Sequence, residues 1–174
     1  MSVLIKGVEM KNSNQKSIPT INASDFLQEN WTEQEIENVK VVVDFFQKLM
    51  NEHNFEYTLN TFGGGSYIQH NRSIPNEIEG LVGYVQTMVK RFPEYSFNVK
   101  KVFADGEYVI LHSHTTMKAK HRGNEKKGFI ITDTFKLKGG KLAEHWDAIQ
   151  PIDFFSRFLM LATGGTIGNN NPTF

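Results

Sequence analysis

The chain has 174 residues, with 19 Lys and Arg against 19 Asp and Glu, 39% apolar and 12% aromatic content, and no cysteine. That length and apolar share fit one globular domain with a sizeable core. The neutral balance points away from nucleic acid and from acidic membranes, and the absence of thiols excludes disulfides, thiolate nucleophiles and zinc–sulfur sites. A cytoplasmic protein is the expected setting. The opening MSVLIKGVEM does not read as a signal peptide, and no apolar run approaches the roughly 18 residues of a membrane span.

Residues 1–30 are rich in Asn, Ser, Gln and Lys and read as an irregular arm, with the domain proper at 31–151. Thr32-Glu33-Gln34-Glu35 matches a capping box, and Ile36, Val39, Val43, Phe46 and Met50 follow at helical spacing. The helix they predict stops near 51–53. A second, shorter helix fits 54–61, with Phe55, Thr58, Leu59 and Phe62 on one side, and Gly63-Gly64-Gly65 breaks it. No GK[ST] follows that glycine run, so it is not a phosphate loop. Tyr67–Asn71 (YIQHN) packs hydrogen-bonding side chains beside this hinge and is expected to rim a pocket. A third helix is predicted over 77–91, with Ile78, Leu81, Val82, Val85 and Val89 inward and Pro93 ending it.

From residue 95 the period changes to two. Phe97, Val99 and Lys101 alternate with polar neighbours, Asp105-Gly106 marks a hairpin, and three further strands fit 108–117, 128–138 and 142–150. Gly139-Gly140 joins the last two. Helices followed by an antiparallel meander indicate an α+β fold with the helices on one face of the sheet. Beyond 151 the chain splits into an apolar segment, Ile152–Ala162, and a Gly- and Asn-rich tail read as flexible. An apolar segment so poor in charge is expected to be covered, at a pocket mouth or a subunit interface.

The chemistry concentrates on the last two strands. Phe129, Ile131, Asp133, Phe135 and Leu137 share one face, as do Ala143, His145, Asp147 and Ile149. A two-residue turn at Gly139-Gly140 pairs residues whose numbers sum to about 279 or 280, which sets Asp133 near Asp147 and Phe135 near His145. Two carboxylates and an imidazole on one apolar surface suit proton transfer. Glu144 and Trp146 fall on the outer face, where a partner subunit could cover the indole. His112 and His114 point the same way along their strand, a weak metal-ligand pattern with no metal assigned.

YIQHN at 67–71, DGEYVILHSH at 105–114 and TDTFKLKGGKLAEHWDAIQP at 132–151, in this order after three helices, resemble the SnoaL-like polyketide cyclases. These belong to the nuclear transport factor 2-like superfamily, with ketosteroid isomerase and limonene epoxide hydrolase. The resemblance covers about residues 32–151. It implies a cone-shaped α+β barrel, in which a curved antiparallel sheet wraps three helices around a deep apolar pocket, and a homodimer through sheet faces. It also implies cofactor-free ring closure by aldol chemistry, with Asp147 at the position of the acid/base and His145 matching a pocket histidine. A second pocket histidine of the family is replaced here by Asp133.

The leading expectation is therefore an enzyme of the lyase or isomerase type acting on a small apolar carbonyl compound. Asp147 would take the proton, tuned by Asp133 and His145. His70, Asn71 or His112 would donate to the enolate oxygen, and Tyr67, Phe135 and Ile149 would shape the pocket. One alternative is a dimeric small-ligand binder without catalysis. Another is metal-assisted hydrolysis or oxygen chemistry through His112, His114 and a carboxylate.

Overall fold

The structure is a computed structural model and describes residues 16–163 and 169–172. Much of the arm and part of the tail thus lie outside the described residues. Helix α1 spans Glu33–Phe46 and runs on as a π-turn, Gln47–Asn51. The capping box closes as its sequence demands: Thr32 Oγ1 accepts from Glu35 N, and the Glu35 carboxylate accepts from Thr32 N. The buried stripe is wider than the predicted one, since Val42, Phe45 and Leu49 join Val39, Val43 and Phe46. Helices α2 (Phe55–Phe62) and α3 (Glu77–Arg91) follow, with Ile78, Leu81, Val82 and Val85 inward.

Strands β2 (Ser96–Asp105), β3 (Tyr108–Thr116), β4 (Phe129–Lys138) and β5 (Lys141–Pro151) form the antiparallel meander. A two-residue strand that the sequence hides, β1 (Ile68–Gln69), adds to β5 in parallel, giving the sheet order β1-β5-β4-β3-β2. The sheet is curved and does not close. Helix α1 lies against its inner face: Phe45 and Phe46 meet Phe135 edge to face, and Phe46 meets Phe97 at 4.7 Å.

Two bulges help bend the sheet and correct the simple alternation. One falls between Val99 and Lys101 in β2, so Val102 is buried and Lys101 faces solvent. The other falls at the β4–β5 hairpin, where Leu137 pairs with Leu142 and Lys136 with Glu144. Leu142 therefore enters the core, and Ala143 does not share the inner face with His145 as expected. Both predicted sums occur, one on each side of this bulge.

The apolar segment becomes helix α4, Phe154–Thr163. Within the described residues it is not covered as expected, because Phe154, Phe158 and Leu161 are exposed. Gly128 locks its base. Its N–H donates to Asp153 Oδ2 and its carbonyl accepts from Ile152 N, in a backbone at φ +90°. The tail residues Asn169–Pro172 are not free either. Asn169 Nδ2 donates to the carbonyls of Asn71 and Ile74, and Asn171 Nδ2 to the carbonyl of Gln69 and to Asn76 Oδ1.

Candidate functional site

Asp133 and Asp147 are directly opposed across β4 and β5, and Phe135 opposes His145. Asp133 and His145 are each 4% exposed. Nε2 of His145 lies 3.2 Å from Asp133 Oδ1, and the imidazole rests against Phe135 at 4.5 Å between ring centres. Asp133 Oδ2 is buried with no hydrogen-bond partner among the described residues. Burial pushes the Asp133 carboxyl above its ordinary range and the Asp147 charge adds to this, against the opposing pull of His145.

Two amides from the β1 region hold this group, and backbone donors fix their orientation. Asn71 Oδ1 accepts from Ser73 N, so its Nδ2 faces Asp147, at 2.8 Å from Oδ1 and 2.7 Å from Oδ2. Gln69 Oε1 accepts from Asn71 N at 3.0 Å and sits 3.0 Å from His145 Nδ1. An N–H can only donate, so the Gln69 atom at this point is oxygen and Nδ1 of His145 must carry a proton. His145 Nε2 and Asp133 Oδ1 stand close enough to pass a proton between them. Gln69 was not among the expected site residues. Its signal is present: if YIQHN is read as a strand, Tyr67, Gln69 and Asn71 share a face and Ile68 and His70 take the other.

That same alternation corrects the placement of His70. Its ring stacks on Trp146 at 4.2 Å, and its Nε2 reaches Glu144 at 3.2 Å, all on the outer face of the sheet. His112 is likewise outside the pocket. It pairs with Thr132 across β3–β4, whereas its neighbour Leu111 pairs with Asp133 and faces the core. Its Nδ1 approaches Thr132 Oγ1, and His114 Nε2 approaches the Lys127 carbonyl. The histidine pair therefore does not join the carboxylates. Tyr67 is buried behind His145, with its ring nearly parallel to the imidazole, and does not rim the cavity. Among the described residues, the set able to hold a cation is Asp133, His145 and Asp147, whose donor atoms all lie within 4.8 Å of one another.

Asp133, His145 and Asp147 open onto a cavity of about 890 Å³ between the sheet, α1 and α3. Phe45, Leu49, Phe97, Phe129, Ile131 and Met88 supply much of its wall, and Phe135, Asn71 and Ile149 also line it. That size and lining suit a small organic ligand with one polar end. The sequence also did not single out Tyr84 or Tyr95. Tyr84 and Tyr95 line the cavity, and both phenols are pushed up, first by burial. Both therefore remain O–H donors near neutral pH.

A family model for SnoaL-like polyketide cyclases matches residues 40–156. The chain belongs to that family. Three solved structures of similar fold extend the comparison. One, from Acidithiobacillus ferrooxidans and described as a candidate polyketide cyclase, is 17% identical with a TM-score of 0.56, covering 79% of this chain and 99% of its own. Another, described as a candidate SnoaL-like polyketide cyclase from Jannaschia sp. CCS1, is 16% identical with a TM-score of 0.58, over 83% and 100% of the two chains. A third, a candidate ketosteroid isomerase from Kribbella flavida, is 14% identical with a TM-score of 0.50, over 66% and 78%. At these identities the likeness is one of fold. No curated protein matches the chain.

Proposed function

We propose that this SnoaL-like protein catalyses cofactor-free proton transfer on a small apolar carbonyl compound, leading to aldol condensation, cyclisation or double-bond migration. The observation that carries the reading is the placement of Asp147 opposite the buried Asp133–His145 pair, at the wall of an apolar cavity. Asp147, oriented by Asn71, takes the proton alpha to the carbonyl, and the electron pair of that C–H bond moves into an enolate. A proton on the Asp133–His145 pair is the acid on the other side of the exchange. Burial raises the Asp133 carboxyl and so favours the protonated pair. With Asn71 committed to Asp147, and His70 and His112 outside, Tyr84 takes over as hydrogen-bond donor to the developing oxyanion. In this reading the protein works as a homodimer through the outer sheet face, which carries Trp146.

The test is exchange of carbonyl α-protons in deuterated water, followed by NMR over a panel of cyclic ketones and 1,3-dicarbonyl compounds. The wild-type protein exchanges at least one member, and Asp147→Asn lowers the rate by at least about a hundredfold. Equal rates in the two proteins remove Asp147 from the mechanism. Binding of panel members without any exchange favours the plain ligand-binding reading.

A further inference from the structure

Helix α4 turns its apolar side outward. Ser156 and Leu159 face the protein, Ser156 buried and Leu159 packed against the core. Phe154 (84% exposed), Phe158 (58%) and Leu161 (84%) follow at i, i+4 and i+7 and form a stripe toward solvent. Phe155 and Met160 widen it. An exposed apolar stripe of this kind marks a contact surface.

The neighbours of the stripe decide what it contacts. The loop over 118–127 lies against the base of the helix: Lys118 Nζ stands 5.4 Å over the Phe155 ring, and Asp153 caps Gly128 N. Residues 118–127 and 153–161 together hold six Lys or Arg side chains against two carboxylates, Glu125 and Asp153. Of the six, Arg122 is buried on Ser96, while Lys118, Lys120, Lys126 and Arg157 are exposed. Asp153 is spent on backbone N–H groups, and Glu125 pairs with Lys100 at 3.5 Å. The lysines are close enough to one another that Lys120, Lys118 and Lys127 join burial in lowering His121. The neutral total, which argued against a membrane partner, thus conceals a local cationic cluster beside an apolar stripe.

We infer that α4 and the 118–127 loop form a docking surface for an anionic lipid bilayer, with Phe154, Phe158 and Leu161 entering the headgroup region and Lys118, Lys120 and Lys126 meeting the lipid phosphates and carboxylates. An apolar helical face flanked by cations is the pattern that such interfaces select. A second copy of the chain fits less well, because two-fold pairing of this stripe would bring the two lysine clusters together. The same helix reaches the cavity: Leu159 and Met160 line it beside Met117 and Phe129. Docking there sets the cavity beside the membrane, where apolar carbonyl compounds concentrate.

Flotation with vesicles of phosphatidylcholine, with or without about one-fifth phosphatidylserine, tests it directly on the full chain. The protein floats with the anionic vesicles, at least about tenfold more weakly with phosphatidylcholine alone, and binding falls as salt is raised. Two double variants separate the parts: Phe158→Ser with Leu161→Ser, and Lys118→Gln with Lys120→Gln. Each lowers partitioning on the order of tenfold while the circular dichroism spectrum and urea midpoint stay as in wild type. Three results overturn the inference: no flotation, flotation indifferent to both double variants, or self-association that the Phe158→Ser and Leu161→Ser variant abolishes.

Discussion

Asp133 and Asp147 are a pair of like residues with unlike company. Asp147 has an amide across both oxygens, whereas Asp133 is buried and keeps one oxygen without a partner among the described residues. The consequence for stability has a definite sign. The Asp133 carboxyl is raised on folding, so between the ordinary carboxylate range near 4 and its folded value the native state holds a proton that the unfolded chain has released. Stability from this group is therefore present at low pH and lost as pH rises through that window. Thermal melts from acid to neutral pH show this loss, and Asp133→Asn flattens it. The same substitution removes the ionisation that, in the proposed chemistry, ends activity on the alkaline side, so the falling limb of its pH–rate profile shifts or vanishes. Asn71→Ala takes the amide from Asp147 and lowers proton exchange by at least about tenfold, with ligand binding little changed. An Asn71→Ala protein with an unaltered rate shows that Asp147 needs no such support.

At the scale of the elements, Gly128 is where the backbone leaves no alternative. A Cβ there would stand 2.1 Å from the Thr115 carbonyl oxygen, in a conformation that side chains avoid. Gly128→Ala costs at least about 2 kcal/mol by urea denaturation and loosens the base of α4. The Asn169–Pro172 strap acts elsewhere, on the backbone of the segment that presents Gln69 and Asn71. Replacing Asn169 and Asn171 together by Ala speeds amide hydrogen exchange over residues 69–76 and leaves exchange in β3 unchanged. The strongly periodic elements were legible in the sequence: α1 and α3 from their stripes, and the β4–β5 pairing from a two-glycine turn with both φ positive. Other features were not. A strand of two residues is too short for its period to stand out from a turn, so the alternation that sets Gln69 beside Asn71 carries weight only once the pairing of β1 with β5 is known. In β3 both faces begin apolar, Tyr108 and Ile110 on one and Val109 and Leu111 on the other, so alternation could not say which side His112 takes. The bulges that move Val102 and Leu142 inward have no signature apart from the pairing itself.

At the scale of the whole molecule, the two faces of the sheet separate the tasks. The inner face holds the cavity, while the outer face carries His112, Thr132, Trp146 and the Glu144 cluster with Lys136 and Lys138. Sedimentation over a range of concentrations tests the proposed homodimer: a dimer that Trp146→Lys disperses assigns the outer face, and one that persists assigns another surface. No helix among the described residues is long and apolar enough to cross a membrane.

The parallel pairing of β1 with β5 also bears on the order in which the molecule folds. The bonds from Asn71 to Asp147 and from Gln69 to His145 each span 76 residues, whereas β2 to β5 join in sequence order, through two-residue turns at either end and the 117–128 loop between β3 and β4. Closing the longer loop has the larger entropic cost, so the meander forms before β1 docks. Substitutions at Gln69 and Asn71 will then speed unfolding and leave the refolding rate nearly untouched, with φ-values near zero. The two amides of the site are thus added after the β4–β5 hairpin has set Asp133 beside His145, and are lost before it.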